Sequence, residues 1–401
     1  MHCSHSKSDF ELFRQCLPCS NASSTKPTHS VSRNSCPCKS HAPDFANSGT
    51  YLTWHGSSLN LLIQFSGRPE LIPKLHPWMG RPPQASRPLD TMTPTGVPDP
   101  LAVYPAFHAG PNAIVVAAPA KLNLFLEILR KRPDGYHDLE SLMLAVDLFD
   151  TLEILVDRSG SITLTCDRID LPTNHENLIV KAAHALRAHV GRDDLGASIR
   201  LTKRIPMQAG LAGGSGNAAL TLVGLNEIWK LALTRDELAV IASSIGSDVA
   251  FFLTPPAGWC IGRGEIVTPE PVGRTLDFVV VCPSIGLSTA EVYRKLAVPG
   301  SPVSGESVRV AVRAGDPMAI GRALFNRLEE PAFALSPKVE QIRNRLAGVA
   351  PCGARMSGSG SAVFAVCRDR AEAIRVAAAF RSASSVLDQD SRIYVVRSFA
   401  P

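Results

Sequence analysis

From about residue 112 onward, apolar positions recur with periods that name the elements. Ile114 to Ala118 is an unbroken apolar run. Lys121-Leu122-Asn123-Leu124-Phe125-Leu126-Glu127-Ile128 then alternates. That period of two puts Leu122, Leu124, Leu126 and Ile128 on one strand face and Lys121 with Asn123 on the other. After a turn at Arg132-Pro133-Asp134-Gly135, Leu139 to Val146 and Asp150 to Val156 read as two further strands. Asn177 to Val190 has helical spacing, and Ser198 to Thr202 alternates again. A glycine-rich loop leads from there into an apolar helix ending near Leu231. Thr234 with Glu237 has the spacing of a capping box and opens a helix running to Ser244. The second half offers a buried-strand run from Leu276 to Cys282, a short helix opened by Ser288, and a Pro/Gly/Ser-rich linker over 299–305. Helical patterns over 307–312, 318–327, 337–347 and 371–380 follow, with strands over 362–367 and 393–397. Strands alternating with helices in this order predict an α+β fold with a split β-α-β arrangement.

Before residue 112 the pattern fails. Apart from Leu59 to Phe65 there is little periodicity, and the stretch is rich in proline and serine. Such a composition buries too little apolar surface to offset the entropy of ordering, so residues 1–111 are expected to be a disordered N-terminal extension. Cys16, Cys19, Cys36 and Cys38 with His29 and His41 offer a zinc reading, but their spacing is loose. A serine-rich, acid-poor leader also fits an organelle transit segment, which would send the chain to a plastid. The plainer expectation is an upstream start and a cytoplasmic protein. Length alone, at 401 residues, suggests two or three domains. The net charge of +5 is shared unevenly, with nine basic and six acidic residues in 1–111. A globular part so near neutrality gives no case for a nucleic-acid partner, and no apolar run is long enough for a membrane span. The cysteines after residue 111 sit in apolar company without metal-like spacing, as reduced buried thiols do.

The chemistry concentrates in Pro206-Met207-Gln208-Ala209-Gly210-Leu211-Ala212-Gly213-Gly214-Ser215-Gly216. Strand, glycine loop, helix start is the order of an anion site. Glycine permits positive φ and close backbone approach, and the first helical N–H groups have no partner within the helix. Those donors and the helix dipole favour a phosphate. A tight turn with Ser215 as N-cap would have the same composition. The loop has neither the Gly-Lys-Ser/Thr ending of a Walker A loop nor the Gly-x-Gly-x-x-Gly of dinucleotide folds.

With Pro119-Ala120-Lys121-Leu122-Asn123-Leu124 before it and Met356-Ser357-Gly358-Ser359-Gly360-Ser361 after it, this loop resembles the motifs of the GHMP kinase superfamily in order and spacing. Arg132-Pro133-Asp134-Gly135-Tyr136-His137, the stretch from Glu176 to Ala183, and Gly246-Ser247-Asp248-Val249 are most similar to the branch acting on 4-diphosphocytidyl-2-C-methyl-D-erythritol. The resemblance covers about residues 113–400. It implies a ribosomal-S5-like N-terminal domain over 112–268, a ferredoxin-like C-terminal domain over 269–401, and a site in the cleft between them. The γ-phosphate of ATP would pass to the substrate's tertiary 2-hydroxyl, in the non-mevalonate route to isopentenyl diphosphate.

By the same resemblance Asp248 is the base and Lys121 its partner, which keeps the carboxylate ionised and offsets charge on the transferring phosphoryl. Asn123 would meet the substrate diol. Tyr136 and Tyr293 would stack on either face of cytosine and His137 would read its edge. Asn177, Leu178 and Lys203 would line the adenine pocket, the 206–216 loop would hold the phosphates, and Gly358, Ser359 and Gly360 would close over the site. Ser215 is the expected Mg²⁺-side ligand. Two departures stand out: Gly216 replaces a usual second serine, removing one hydroxyl, and Ala250 replaces a usual proline. The expected partners are ATP and the cytidyl substrate, with no nucleic acid or membrane, in a monomer or weak homodimer. Other kinases of the superfamily, acting on homoserine, mevalonate or a sugar, and a non-catalytic nucleotide-binding relative are the competing readings. Retention of both Lys121 and Asp248 argues against the last.

Overall fold

The computed structural model describes residues 51–55, 58–62, 99–254, 256–383 and 390–399. The chain divides into two units, residues 1–85 and 86–401. In the first, β1 (Tyr51–His55) and β2 (Ser58–Leu62) form an antiparallel hairpin. The cysteine pairs considered for zinc lie outside the described residues, as does most of the expected disordered extension. The second unit corrects that extension's boundary. Helix α1 (Pro100–Val103) and strand β3 (Ala106–Gly110) both precede residue 112. Tyr104 between them is buried, with its ring 5.1 Å from that of Phe399 near the other end of the chain.

Two long strands organise the first half. β4 (Ala113–Lys131) and β5 (His137–Asp157) pair antiparallel along nearly their whole length. The two segments expected between Leu139 and Val156 are therefore one strand. At this length each changes partner part-way. One end of β5 pairs with β8 (Ala257–Gly262), which pairs with β9 (Ile266–Pro269). Its other end pairs with β7 (Gly196–Thr202), which carries β6 (Ile162–Cys166) in parallel. Helices α2 (Leu178–Val190), α3 (Gly213–Ile228) and α4 (Arg235–Ile245) cover one face. Their apolar residues meet Ile114, Val116, Ala118, Leu152 and Ile154 in a first core. The capping box at Thr234 and Glu237 is formed.

The second half builds a four-stranded antiparallel sheet in the order β12 (Ala354–Met356), β13 (Val363–Cys367), β10 (Asp277–Cys282), β14 (Arg392–Arg397). β10 is buried on both sides and sorts its residues by parity. Phe278, Val280 and Cys282 enter a second core that also holds Leu122, Leu124 and Phe125 of β4. Val279 and Val281 enter a third, beneath α9 (Pro337–Val349) and α10 (Arg370–Ser382). Four shorter helices, α5 (Thr289–Lys295), α6 (Glu306–Ala314), α7 (Pro317–Ala323) and α8 (Glu329–Leu335), complete it. The helix expected over 318–327 stops at Ala323. The chain then forms β11 (Phe325–Asn326), parallel to β4, so the second half adds a strand to the first half's sheet. Among the described residues no helix is long and apolar enough to cross a membrane.

Candidate active site

Two bulges place Lys121 and Asn123. The β4–β5 register shifts between Pro119 and Ala120 and again between Asn123 and Phe125. A bulge bends a strand and re-aims its side chains. Here the second shift breaks the single apolar face expected from Leu122 to Ile128: Phe125 joins Leu122 and Leu124 in the second core, while Leu126 and Ile128 fall in the third. Between the bulges, Lys121 and Asn123 are both buried yet line a cavity of about 1160 Å³.

The Lys121 ammonium is held from several sides. Nζ donates to the Gly210 carbonyl at 2.9 Å and to Asn123 Oδ1, and it stands 3.8 Å from Asp248 Oδ2. Burial pushes its pKa below the ordinary lysine value, while the charge of Asp248 pulls it back up. Asp248 itself, in the turn after α4, remains partly exposed to the cavity. Asn123, expected to meet substrate directly, has its amide engaged: Oδ1 accepts from Lys121, and Nδ2 donates to Ser141 Oγ at 2.8 Å. Ser357 Oγ donates to the Gly210 carbonyl at 3.0 Å, which joins the closing turn of the second half to the loop of the first. Close approach here depends on glycine. A Cβ on Gly210 would lie 2.0 Å from the Ser357 carbonyl oxygen, and its φ of +72° already disfavours other residues.

The loop enters α3 through Ala212, which adopts left-handed φ, and no side chain caps the helix. Ser215 is thus not the N-cap but lies within the first turn. Pro206 to Ser215 all line the cavity, and so do Asn177, Leu178, Lys203, Tyr136, His137, Tyr293, Gly358, Ser359 and Gly360. One expectation needs correction, at Gly216, and two more gain detail, at Lys203 and Asn177. Gly216 does not line the cavity: its N–H bonds to the Ala212 carbonyl at 2.9 Å, and a Cβ there would meet the Pro119 carbonyl oxygen at 2.6 Å. The hydroxyl missing from this chain would therefore face β4 rather than the cradle. Lys203 is tied to the buried Asp150 at 2.8 Å. Asn177 caps α2 through Oδ1 and donates Nδ2 to the Pro172 carbonyl at 2.7 Å, so its amide is already partnered.

At the other end, the aromatic residues pair differently from a simple sandwich. The Tyr136 ring lies beneath the Arg263 guanidinium at 5.0 Å, and the His137 ring meets Tyr293 at 5.2 Å with a 40° tilt. Burial, then the charge of Lys131, lowers the pKa of His137 below the ordinary histidine value and so favours the neutral ring. A neutral imidazole offers one donor and one acceptor. Among the described residues no group of three His, Cys, Asp or Glu side chains is placed to hold a metal.

A helix start without a side-chain cap, a lysine–carboxylate pair and an aromatic end thus share one cavity. Models of the GHMP kinases N-terminal and C-terminal domains match residues 177–255 and 308–385. The 4-diphosphocytidyl-2-C-methyl-D-erythritol kinase of Pelotomaculum thermopropionicum is 40% identical over 290 residues, 72% of this chain and 99% of its own. The chain belongs to this family of GHMP kinases. The 4-diphosphocytidyl-2-C-methyl-D-erythritol kinase of Exiguobacterium sibiricum is 41% identical over 292 residues, with 71% of this chain and 97% of that one covered. A crystal structure of 4-(cytidine 5'-diphospho)-2C-methyl-D-erythritol kinase superposes with a TM-score of 0.60 at 31% identity, covering 72% of this chain and 99% of that one. Homoserine kinase from Cytophaga hutchinsonii also reaches 0.60, at 18% identity with 73% and 97% covered, a likeness of fold alone.

Arg263, Lys131, Arg294 and Thr289 also line the cavity, and the sequence motifs did not single them out. Thr289 Oγ1 lies 2.8 Å from Ser359 Oγ and steadies the closing turn. Arg263 follows β8 on a turn whose composition carries no signal; only the strand pairing of β8 with β5 brings it to Tyr136.

Proposed function

We propose that this kinase moves the γ-phosphoryl group of ATP to the 2-hydroxyl of 4-diphosphocytidyl-2-C-methyl-D-erythritol, giving the 2-phosphate and ADP in the non-mevalonate route to isopentenyl diphosphate. One observation carries the reading: the Lys121 ammonium and the Asp248 carboxylate face each other at 3.8 Å in the cavity that also holds the start of α3. A tertiary alcohol is a weak nucleophile at neutral pH, and a carboxylate within reach of its proton helps as base or orienter. Asp248 takes that proton as the oxygen bonds to the γ-phosphorus and the bridging bond to the β-phosphate breaks. Lys121, fixed by Gly210 and Asn123, offsets the charge on the transferring group. Asn123 acts here chiefly by orienting Lys121.

The loop over 206–215 receives the phosphates on the N–H groups at the start of α3. Tyr136 and Tyr293 supply flat apolar surface for cytosine, His137 a donor and an acceptor for its edge, and Arg263 positive charge for the diphosphate. The donor set fits a Mg²⁺ carried mainly on nucleotide phosphates and water, with Ser215 as its protein-side ligand, and does not fit a protein cage. Such an ion neutralises phosphate charge. The described cysteines are free and, Cys166 apart, buried, which supports a reducing compartment such as the cytoplasm.

The test is ADP release with a panel of alcohols. The cytidyl diphosphate alcohol should stimulate release, while homoserine, mevalonate and galactose should leave it at background. Better turnover with any of those three would contradict the assignment.

A further inference from the structure

We infer that Asp150, near the middle of β5, is a positioning residue for the nucleotide: it grips the phosphate loop from both ends and fixes the Lys203 ammonium beside the start of α3. The Asp150 carboxylate is fully buried and accepts four hydrogen bonds. Oδ1 takes the backbone N–H of Arg204 at 2.7 Å and of Ile205 at 2.8 Å, the two residues just before the loop. Oδ2 takes Lys203 Nζ at 2.8 Å and Asn217 Nδ2 at 2.9 Å. Asn217 stands in the helix on the far side of the same loop. One carboxylate therefore sets the separation of the chain entering the cradle from the chain leaving it.

The electrostatics point the same way. Lys203 Nζ lies 3.1 Å from where a Cβ on Gly213 would sit, at the first residue of α3. A cation at the positive end of a helix is unfavourable alone. Asp150 offsets that charge, and an incoming phosphate meets the ammonium and the helical N–H groups together. Among the described residues the buried Asn217 Oδ1 has no hydrogen-bond partner, a cost unexpected of a cluster built for stability alone.

The inference rests on the reading of 206–215 as the phosphate cradle, so its test must separate the two. ATP affinity without the alcohol, and the two KM values in turnover, are measured for Asp150→Asn, Asn217→Ala and Gly214→Val. The carboxamide keeps the shape of Asp150 but turns a donor toward Lys203 and Asn217. It should raise KM for ATP about tenfold while the KM for the alcohol stays within about twofold. Asn217→Ala, which removes one arm and leaves the buried carboxylate, should show the same split more weakly and guards against failure of the first variant to fold. At Gly214, which lines the cavity, a Cβ meets only Leu178 Cδ1 within 4 Å, at 3.6 Å, an ordinary contact, so valine adds bulk at the cradle from a Cβ position the fold leaves open. If Gly214→Val binds ATP as the parent does, the cradle reading fails and the inference falls with it. If Gly214→Val loses ATP while both other variants keep the parent affinity, or both KM values climb together as Tm drops, Asp150 has no positioning role.

Discussion

Lys121 is buried between two strand bulges, and its charge survives there because Asp248 and two oxygen acceptors face it. Its pKa is depressed by burial and raised by Asp248, so kcat/KM should fall with rising pH at a pH below the ordinary lysine range. In Asp248→Asn the opposing charge is gone, so the basic limb of the residual activity should move to lower pH; a limb that stays put would remove Lys121 as the titrating group. Tyr136→Ala should raise KM for the cytidyl substrate with a smaller change in kcat, measured at saturating ATP. An unchanged KM would mean that the exposed ring under Arg263 does not touch the base. Lys121, Asp248, Tyr136 and His137 could be placed in one cavity from sequence because each sits in a short motif with fixed neighbours. Arg263 and Asp150 could not. Their partners are distant in the chain, and strand pairing alone brings them together.

Among the elements, the loop and the closing turn depend on each other. Gly210 touches the Ser357 backbone so closely that a methyl group overlaps it. Gly210→Ala should therefore cost about 2–4 kcal/mol from backbone strain and overlap together. In a domain of this size that lowers Tm by roughly 5–10 °C. An unchanged Tm would show that the two halves do not meet there. The helices were legible where a cap or an amphipathic stripe marked them, as at Thr234 and Asn177. What stayed hidden was non-local. A period of two cannot reveal that the strand segments flanking Asp147 to Phe149 are one strand, because their continuity comes from changing partners. Nor can helical spacing over 318–327 foresee β11, whose two residues are strand only because β4 offers an edge.

At the largest scale, the described residues from 99 onward rest on three cores, and the second binds the two halves of that unit together through β4 and β10. Composition placed the start of order at 112 because proline-rich sequence precedes it, yet Tyr104 packs into the first core. Removing residues 1–111 should accordingly cost about 3–5 kcal/mol more than removing residues 1–91, read as Tm, since only the longer cut takes away a large buried aromatic. Equal Tm values would return the boundary to 112. The site depends on this packing, because Lys121 comes from the first half and its covering turn, Ser357 to Gly360, from the second.

Single-turnover phosphoryl transfer from ATP to the cytidyl diphosphate alcohol, in the parent and in Asp248→Asn, tests the central claim most directly. The carboxamide should slow transfer by roughly 10²–10⁴ while the affinities for both substrates stay close to the parent's. Transfer at the parent's rate by Asp248→Asn would contradict it.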